Sequence, residues 1–411
     1  MIAPRVSVVI VSHGRAEFLS GAIRALLQQS YPCFEIVVVA EAASLARLDA
    51  AIASVKLVEF EEANVATARN LGIENSAGEI IAFIDDDARP EPTWISRLIG
   101  PIASGAALAA TGRVLGRNGI SDQSQCCIVS NTGKEREYAL GSSSSIFRNV
   151  PIKLVGTNCA FDAQFLRRIG GFDEGYPFYL DDTDVSIRAA SVGAPMAYVG
   201  DAVVHHGFAE GPFRRQDRVP RSLFKIGRSS ARFLALYCPA RQRQRAMNDM
   251  IEAQRQRLLE HMIAGRLDPF QVRLLLKDFY LGLKGVVRAD DQEKRTLKQA
   301  KLFRPVPVML GSDRAFSSRL WRSRSVQAAA HRAVRDGDRV TVFRLSWTAL
   351  YHTVQFQDLG GIWLQRGGLF GRSSRSDPLF RIWKFKARIM REMRRISDVR
   401  FPSNIPNLES E

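Results

Sequence analysis

Ile80-Ile81-Ala82-Phe83-Ile84-Asp85-Asp86-Asp87 is an apolar run without polar alternation that stops in three adjacent carboxylates. Such a run reads as a parallel strand buried on both faces, and Ala77-Gly78-Glu79 punctuates the chain just before it. Three like charges this close repel and raise one another's pKa unless a cation or hydrogen-bond donors hold them ionised. In an open α/β sheet the C-terminal ends of the strands are where ligands bind. Hard oxygen ligands there suit Mg2+ or Mn2+ shared with phosphates. The competing reading is an acidic turn closed by Arg89-Pro90.

Strand and helix patterns alternate on both sides of this run. Val6–Val11 and Phe34–Val39 read as strands, with a helix over Ala16–Gln29 between them. A looser helix is expected over Ser44–Ala53, a short strand over Lys56–Phe60 and a helix over Asn64–Asn75. Beyond Asp87 the pattern continues with a helix from Pro92, a strand over Leu108–Val114 and strand character over Val155–Phe161. A short helix over Ala163–Ile169, a helix over Val185–Val192 and a strand pair around Met196–Val199 and Ala202–His205 complete it. Alternation of this kind implies parallel pairing through crossovers, hence a three-layer α/β domain. Residues 117–150, rich in Ser, Asn and Gly, read as a loop or irregular insertion, with Gly141–Ser145 mobile.

The 411 residues are enough for one large domain with a smaller one. Gly211-Pro212 marks the expected boundary, giving domains over 1–212 and 213–411. The net charge of +16 is unevenly spread: residues 213–411 hold 41 Lys and Arg against 18 Asp and Glu, the remainder 17 against 24. An anionic surface or substrate is therefore expected for the C-terminal half. That half reads as mainly helical and basic, with helices over Arg221–Leu236, Gln242–Ala264 and Pro269–Val287, whereas residues 303–345 do not resolve into elements. Five scattered cysteines give neither a disulfide framework nor metal-ligand spacing, so a reducing compartment is expected. The chain reaches its first strand within five residues, with no charged leader or cleavage site, and no secretory signal is expected. No run reaches the roughly 18 uncharged apolar residues of a membrane span.

A second acidic cluster, Asp181-Asp182-Thr183-Asp184, opens a helical pattern. Asp181 or Asp182 suits a helix cap, and Asp184 lies four residues from Arg188 on one face. Capping and pairing account for two of the three carboxylates. The third is free to act as a general base on an incoming hydroxyl. His205 and His206 end an apolar strand, where alternation lets one ring reach a metal while the other packs away.

Taken in order, these motifs resemble a family 2 nucleotide-sugar glycosyltransferase. They are Val6–Arg15, Asn64–Ile73, Asp85-Asp86-Asp87, Gly156-Thr157-Asn158, Gly170-Gly171-Phe172-Asp173, Asp181–Asp184 and Val204-His205-His206, so the resemblance spans about residues 4–208. It implies a GT-A fold, a nucleotide-diphosphate-sugar donor and inversion by direct displacement. Asp182 matches the base, the usual Glu-Asp pair here being Asp181-Asp182. Asp85 and Asp87 match the outer positions of the family's metal motif, Asp87 ligating the ion and Asp85 lying near the ribose or just behind the ligands, and His205 or His206 completes the metal set. Ser12, Gly14, Arg15, Glu41, Arg69, Asp85 and Asp86 are expected around the donor, and Asn158, Asp181, Asp184 and Trp94 around the sugar or acceptor. Val39-Ala40-Glu41 stands where an aspartate usually reads the base, and Ser12-His13-Gly14-Arg15 replaces the common Tyr-Asn-Arg tip. Both departures alter the nucleotide wall.

Residues 380–396 carry an apolar stripe at 382, 385, 389, 393 and 396 between Lys and Arg. Two readings stand: a helix lying on an anionic membrane, or one packed on its own domain. With the membrane reading, the expectation is a peripheral enzyme on the cytoplasmic face, acting on a saccharide or lipid-linked acceptor in surface polysaccharide synthesis. Nucleic acid is disfavoured, since no zinc pattern or RNP-like aromatic pair accompanies the charge. A nucleotidyltransferase on a similar fold would also want Asp85 and Asp87 but not Asp182. A non-catalytic polyanion-binding protein would need none of the three.

Overall fold

The structure, a computed structural model, describes residues 3–48, 54–138, 140, 143–207, 210–211, 213–285, 297–307, 311–319 and 323–410. The N-terminal part runs β1 (Val6–Val11), α1 (Ala16–Leu26), β2 (Phe34–Ala40), α2 (Ala42–Leu45), β3 (Lys56–Glu59), α3 (Val65–Glu74), β4 (Ile80–Asp85) and β5 (Ala88–Pro90). It continues through α4 (Trp94–Ala103), β6 (Ala109–Leu115), β7 (Asp122–Ser124), β8 (Cys126–Val129), β9 (Glu135–Tyr138), β10 (Ser144–Phe147), β11 (Cys159–Asp162), α5 (Ala163–Arg168), α6 (Asp181–Ser191) and β12 (Met196–His206). Ten of these strands form one mixed, mainly parallel sheet in the order β10-β12-β6-β11-β4-β1-β2-β3, with β5 beside β12 and β7 beside β6. Val8, Ile10 and Ala82 point to α1 and α4, where Leu19, Ile23, Trp94 and Leu98 cover them. Val9, Ile81 and Phe83 point the other way, to Ala66, Ile73, Phe165 and Val185 of α3, α5 and α6. The continuous apolar runs of the sequence are thus buried on both faces, in three layers.

Three helices follow: α7 (Phe224–Tyr237), α8 (Ala240–Ile263) and α9 (Pro269–Leu283), packed around Leu223, Leu258, Leu275 and Phe279. Then come β13 (Asp313–Arg319), α10 (Ser323–Arg335), β14 (Arg339–Ser346), β15 (Thr353–Gln357), β16 (Ile362–Gly368), α11 (Phe385–Arg400) and β17 (Leu408–Ser410). These strands make a second sheet, β15-β16-β14-β13-β17, parallel except for β15. Helices α10 and α11 cover its two faces, one through Val326, Ala330 and Ala333 and the other through Ile389, Met393 and Ile396.

Several sequence expectations change here. Residues 117–150 are not a loop: they hold β7 to β10, although Gly141 and Ser142 lie outside the described residues. The strand pair before His206 is one strand, β12, with a register shift between Val199 and Val203. Helix α2 stops at Leu45, and residues 49–53 lie outside the described residues. The helical C-terminal region also contains the second sheet. Most of the stripe of residues 380–396 is packed on its own domain: Ile389 and Met393 are fully buried in the core between α11 and the second sheet, with Phe385 packed against it, while Ile382 remains exposed. No helix among the described residues is long and apolar enough to cross a membrane.

The second sheet is docked on the first beside β5. Arg400 of α11 makes a bidentate ion pair with Glu91 at a contact where both side chains are 3% exposed. Arg89 of β5 makes another with Asp358, at 2.7 and 2.6 Å. Backbone bonds Val354 N–H to Asn118 O and Thr93 N–H to Val399 O complete the seam.

Candidate active site

Strand β4 ends with Asp85 at the C-terminal edge of the first sheet, and the turn that follows carries Asp86 and Asp87 in different directions. Asp85 and Asp87 face a cavity of about 300 Å3, whereas Asp86 turns inward and is fully buried. There Asp86 accepts a hydrogen bond from Ser12 Oγ at 2.6 Å and pairs with Arg15 at 2.7 Å. Burial pushes its carboxyl up to about 7, against the pull of Arg15. Asp86 therefore supports the cavity floor rather than lining it, unlike the expected donor contact.

β12 brings the histidines in, and alternation sends them to opposite sides. His206 Nε2 lies 3.0 Å from Asp87 Oδ1 and 4.0 Å from Asp85 Oδ2. Its Nδ1 is 3.0 Å from Gln123 Oε1 on β7. That contact orients the ring so that Nε2 faces the two carboxylates, an approach that a shared proton or cation relieves. Ligand atoms of Asp85, Asp87 and His206 all lie within 4.8 Å of one another. Two hard oxygens and an imidazole nitrogen converging from separate strands fit a divalent cation. His205 does not belong to this set. Its Nε2 is 2.7 Å from Glu91 Oε1, and its ring packs on Trp363 of β16 with centroids 4.9 Å apart.

Opposite this set stands the start of α6. Tyr179 and Leu180 both adopt left-handed φ, +77° and +67°, a conformation that costs non-glycine residues energy and recurs at functional sites. The turn places Asp181 and Asp182 in the first helical turn, and neither side chain caps the helix, contrary to the capping reading. Both line the cavity. Arg69 of α3 ties the two acidic clusters together, pairing with Asp181 and, at 3.5 Å, with Asp85. Burial works against its charge, but Asp181 and Asp85 outweigh it and hold the guanidinium above its ordinary pKa. A Cβ on Gly156 would come within 2.3 Å of this guanidinium, so the glycine is required for its approach. Asp181 is raised to about 6 by burial, with Arg69 opposing. Asp182 is 3.8 Å from Lys153, which also pairs with Glu135 at 2.6 Å.

Not every expected residue reaches the cavity. Trp94 is buried and donates its indole N–H to Asn158 Oδ1 at 2.8 Å, while Asn158 Nδ2 donates to Arg113 O and Ala202 O. That pair stitches α4 to β6 and β12 and offers nothing to a sugar. Asp184 is likewise internal, held by Arg188 at 2.7 Å and by Tyr237 at 2.6 Å. Glu41 accepts the Gly14 N–H at 2.8 Å, with Gly14 at φ +69°, and shapes the loop from beneath while His13 lines the wall. Residues missed in the sequence fill the gaps: Lys153, Tyr179 and Arg214 line the cavity, and Gln123 orients His206. Arg214 lies 3.3 Å from Asp87, with Arg15 at 3.5 Å from the same oxygen. Phe178 and Phe213 stack at 4.5 Å as part of the wall. The cavity thus brings together two carboxylates and an imidazole with the spacing of a cation site, paired arginines and the Asp182 carboxylate.

Residues 7–148 match the family model described as Glycosyl transferase family 2. The chain is similar to Glycosyltransferase AglE of Haloferax volcanii, 34% identical over 109 residues that make up 24% of this chain and 36% of that protein. It is also similar to the Glucosyl-dolichyl phosphate glucuronosyltransferase of the same organism, 28% identical over 116 residues, 26% of this chain and 37% of that one. It therefore spans little more than a third of the length of these curated relatives. Among solved structures, GalNAc-T7 with UDP, GalNAc and Mn2+ aligns at 16% identity and TM-score 0.45, over 57% of this chain and 48% of that one. S. aureus TarS 1-349 in complex with UDP-GlcNAc aligns at 14% identity and TM-score 0.41, over 59% and 70%.

Proposed function

We propose, from the premise that residues 7–148 are a family 2 glycosyltransferase domain, that the chain transfers a sugar from a nucleotide-diphosphate-sugar donor to an acceptor hydroxyl. In this reading the transfer is metal-dependent and inverts the anomeric carbon in one displacement. The observation that carries it is the single cavity in which Asp85, Asp87 and His206 face Asp182 across Arg69.

Asp85, Asp87 and His206 would hold the divalent ion, Mg2+ or Mn2+. When bound, the ion supplies positive charge to the oxygens of the leaving nucleoside diphosphate. Arg15 and Arg214, now turned towards Asp87, are in place to add fixed cationic charge to the same oxygens. Asp182 accepts the proton of the acceptor hydroxyl at its carboxylate, and one such base suffices for an inverting step. Lys153 and the first turn of α6 fix where that carboxylate points. Tyr179 and the Phe178–Phe213 stack narrow the mouth and keep water from competing with the acceptor.

For the acceptor we favour a lipid-linked saccharide at a membrane surface. The dolichyl phosphate in the name of one relative supports this. So does α9, where Phe270, Leu274 and Leu281 are exposed beside Arg273, Lys277 and Lys284, a face suited to an anionic interface. Membrane contact therefore moves from α11 to α9, with the enzyme peripheral on the cytoplasmic face. The test is a panel of nucleotide sugars, each incubated with the protein and Mg2+ or Mn2+ and followed by nucleotide release. One donor should release nucleotide in a metal-dependent way, faster with a lipid-linked acceptor than without. No release from any donor under either metal would overturn the reading.

A further inference from the structure

The second sheet has a ligand-binding edge of its own. Strands β13, β14 and β16 are parallel, so their C-terminal ends share one edge, and α10 starts there after β13. In open α/β sheets this edge is where ligands bind. Across it, on the face covered by α10, the register places Thr353, Arg366, Arg344 and Ser318 in one row. The same face carries Val342, Leu364 and Phe316 one layer deeper, so the row is where an apolar core gives way to polar groups.

Two features of the row are costly without a ligand. Arg344 and Arg366 are direct cross-strand neighbours of like charge, and among the described residues neither makes an ion pair with a carboxylate. Burial, and then Arg366, hold the Arg344 guanidinium below its ordinary pKa. Ser318 is 5% exposed, and its neighbour Ser317 on the other face 3%, yet among the described residues neither hydroxyl has a hydrogen-bond partner. Ser318, Gln327, Arg344 and Gln357 line a recess of about 30 Å3 over an apolar floor of Ala330, Val342, Ile362 and Leu364, with Arg366 outside it on the neighbouring strand. This volume is two to three times what one water needs and far too little for a nucleotide.

We infer that this edge binds a phosphate-class dianion, an inorganic phosphate or a phosphomonoester group, between Arg344, Arg366 and Ser318. Guanidinium forks match the oxygens of such a group, and two uncompensated positive charges match a dianion. The Ser318 hydroxyl donates to one oxygen, and the first turn of α10, which follows β13 at this edge, carries no acidic residue to repel the group. The group reaches the recess from the solvent-exposed Arg366 side.

Calorimetric titration of the full chain with inorganic phosphate, against chloride at equal ionic strength, tests this. The Arg15→Gln/Arg214→Gln variant removes phosphate binding in the large cavity and should retain one binding event. Adding Arg344→Gln and Arg366→Gln should weaken that event at least about tenfold, and Ser318→Ala should weaken it less. Without phosphate the Arg344→Gln/Arg366→Gln variant should melt no lower than the parent, since a repulsion has been removed. A phosphate isotherm unchanged by these substitutions, or a lowered melting temperature with unchanged phosphate affinity, overturns the inference. Vesicles of phosphatidic acid against phosphatidylcholine then separate the sources. Capture by the former that free phosphate competes away assigns a lipid headgroup, and no capture assigns a soluble phosphate.

Discussion

The two sheets of this protein present opposite charges at equivalent edges. At the C-terminal ends of the first, β4 and the turn after it set out Asp85 and Asp87, already matched by His206, Arg15, Arg69 and Arg214. At the C-terminal ends of the second, β14 and β16 set out Arg344 and Arg366 with no carboxylate between them. A parallel sheet focuses its polar groups at one edge in both cases. The side chains placed there decide whether that edge recruits a cation with its phosphates or an anion directly.

The largest expected effect belongs to the first edge. Asp182→Asn should keep donor affinity and lose about 10²–10⁴-fold in turnover, the scale of a positioned general base. Isothermal binding and nucleotide-release rates on the same sample separate the two. Equal losses in both, with a lowered melting temperature, would reduce Asp182 to a structural residue of α6.

Next in size is the seam that joins the sheets. Glu91→Gln leaves Arg400 buried with its charge unmatched, and breaking such a pair costs about 3–5 kcal/mol. Thermal melting should show a clear drop, and because β5 follows Asp87 directly, metal-dependent donor binding should weaken with it. The pH dependence has a definite sign. Arg400 and His205 overcome burial and hold the Glu91 carboxyl at about 2, well under its ordinary 4.5. A carboxyl depressed by folding contributes fully above about pH 4.5 and loses that contribution as pH falls towards 2. Acid titration of the melting temperature should therefore flatten in Glu91→Gln over that window. The smallest effect is expected from Asp358→Asn, because Asp358 is 37% exposed and Arg89, though buried, keeps its hydrogen bonds to Asp86 O and Ala88 O. If this change cost as much as Glu91→Gln, the seam would rest on its rim rather than its buried centre.

The first sheet was legible because its strands are unbroken apolar runs and its acidic ends have no local use for so many carboxylates. The motif order then fixed Asp85, Asp87, Arg69 and Asp182 at one cavity. What the pattern does not carry is side-chain direction at a strand's end: Asp86 and His205 share the spacing of their neighbours and point away. Asn158 and Trp94 satisfy one another, which no linear spacing reveals. Lys153, Arg214 and Gln123 come from loops or a three-residue strand, where no periodicity marks them. The second sheet was illegible because Asp313–Arg319 and Ile362–Gly368 interrupt their apolar positions with Arg, Ser and Gly. The α11 stripe was readable as a helix, but periodicity cannot say whether a lipid or a protein core covers it. Its cover is the second sheet.

Asp87 is the residue on which coupling of a metal to the donor depends most directly. Calorimetry of the donor identified by the panel, with and without Mn2+, should show tight binding only with metal in the unaltered protein, and in Asp87→Asn the metal-dependent part should vanish while the fold stays intact. Donor binding that is equally tight without metal, or unchanged by Asp87→Asn, would contradict that dependence.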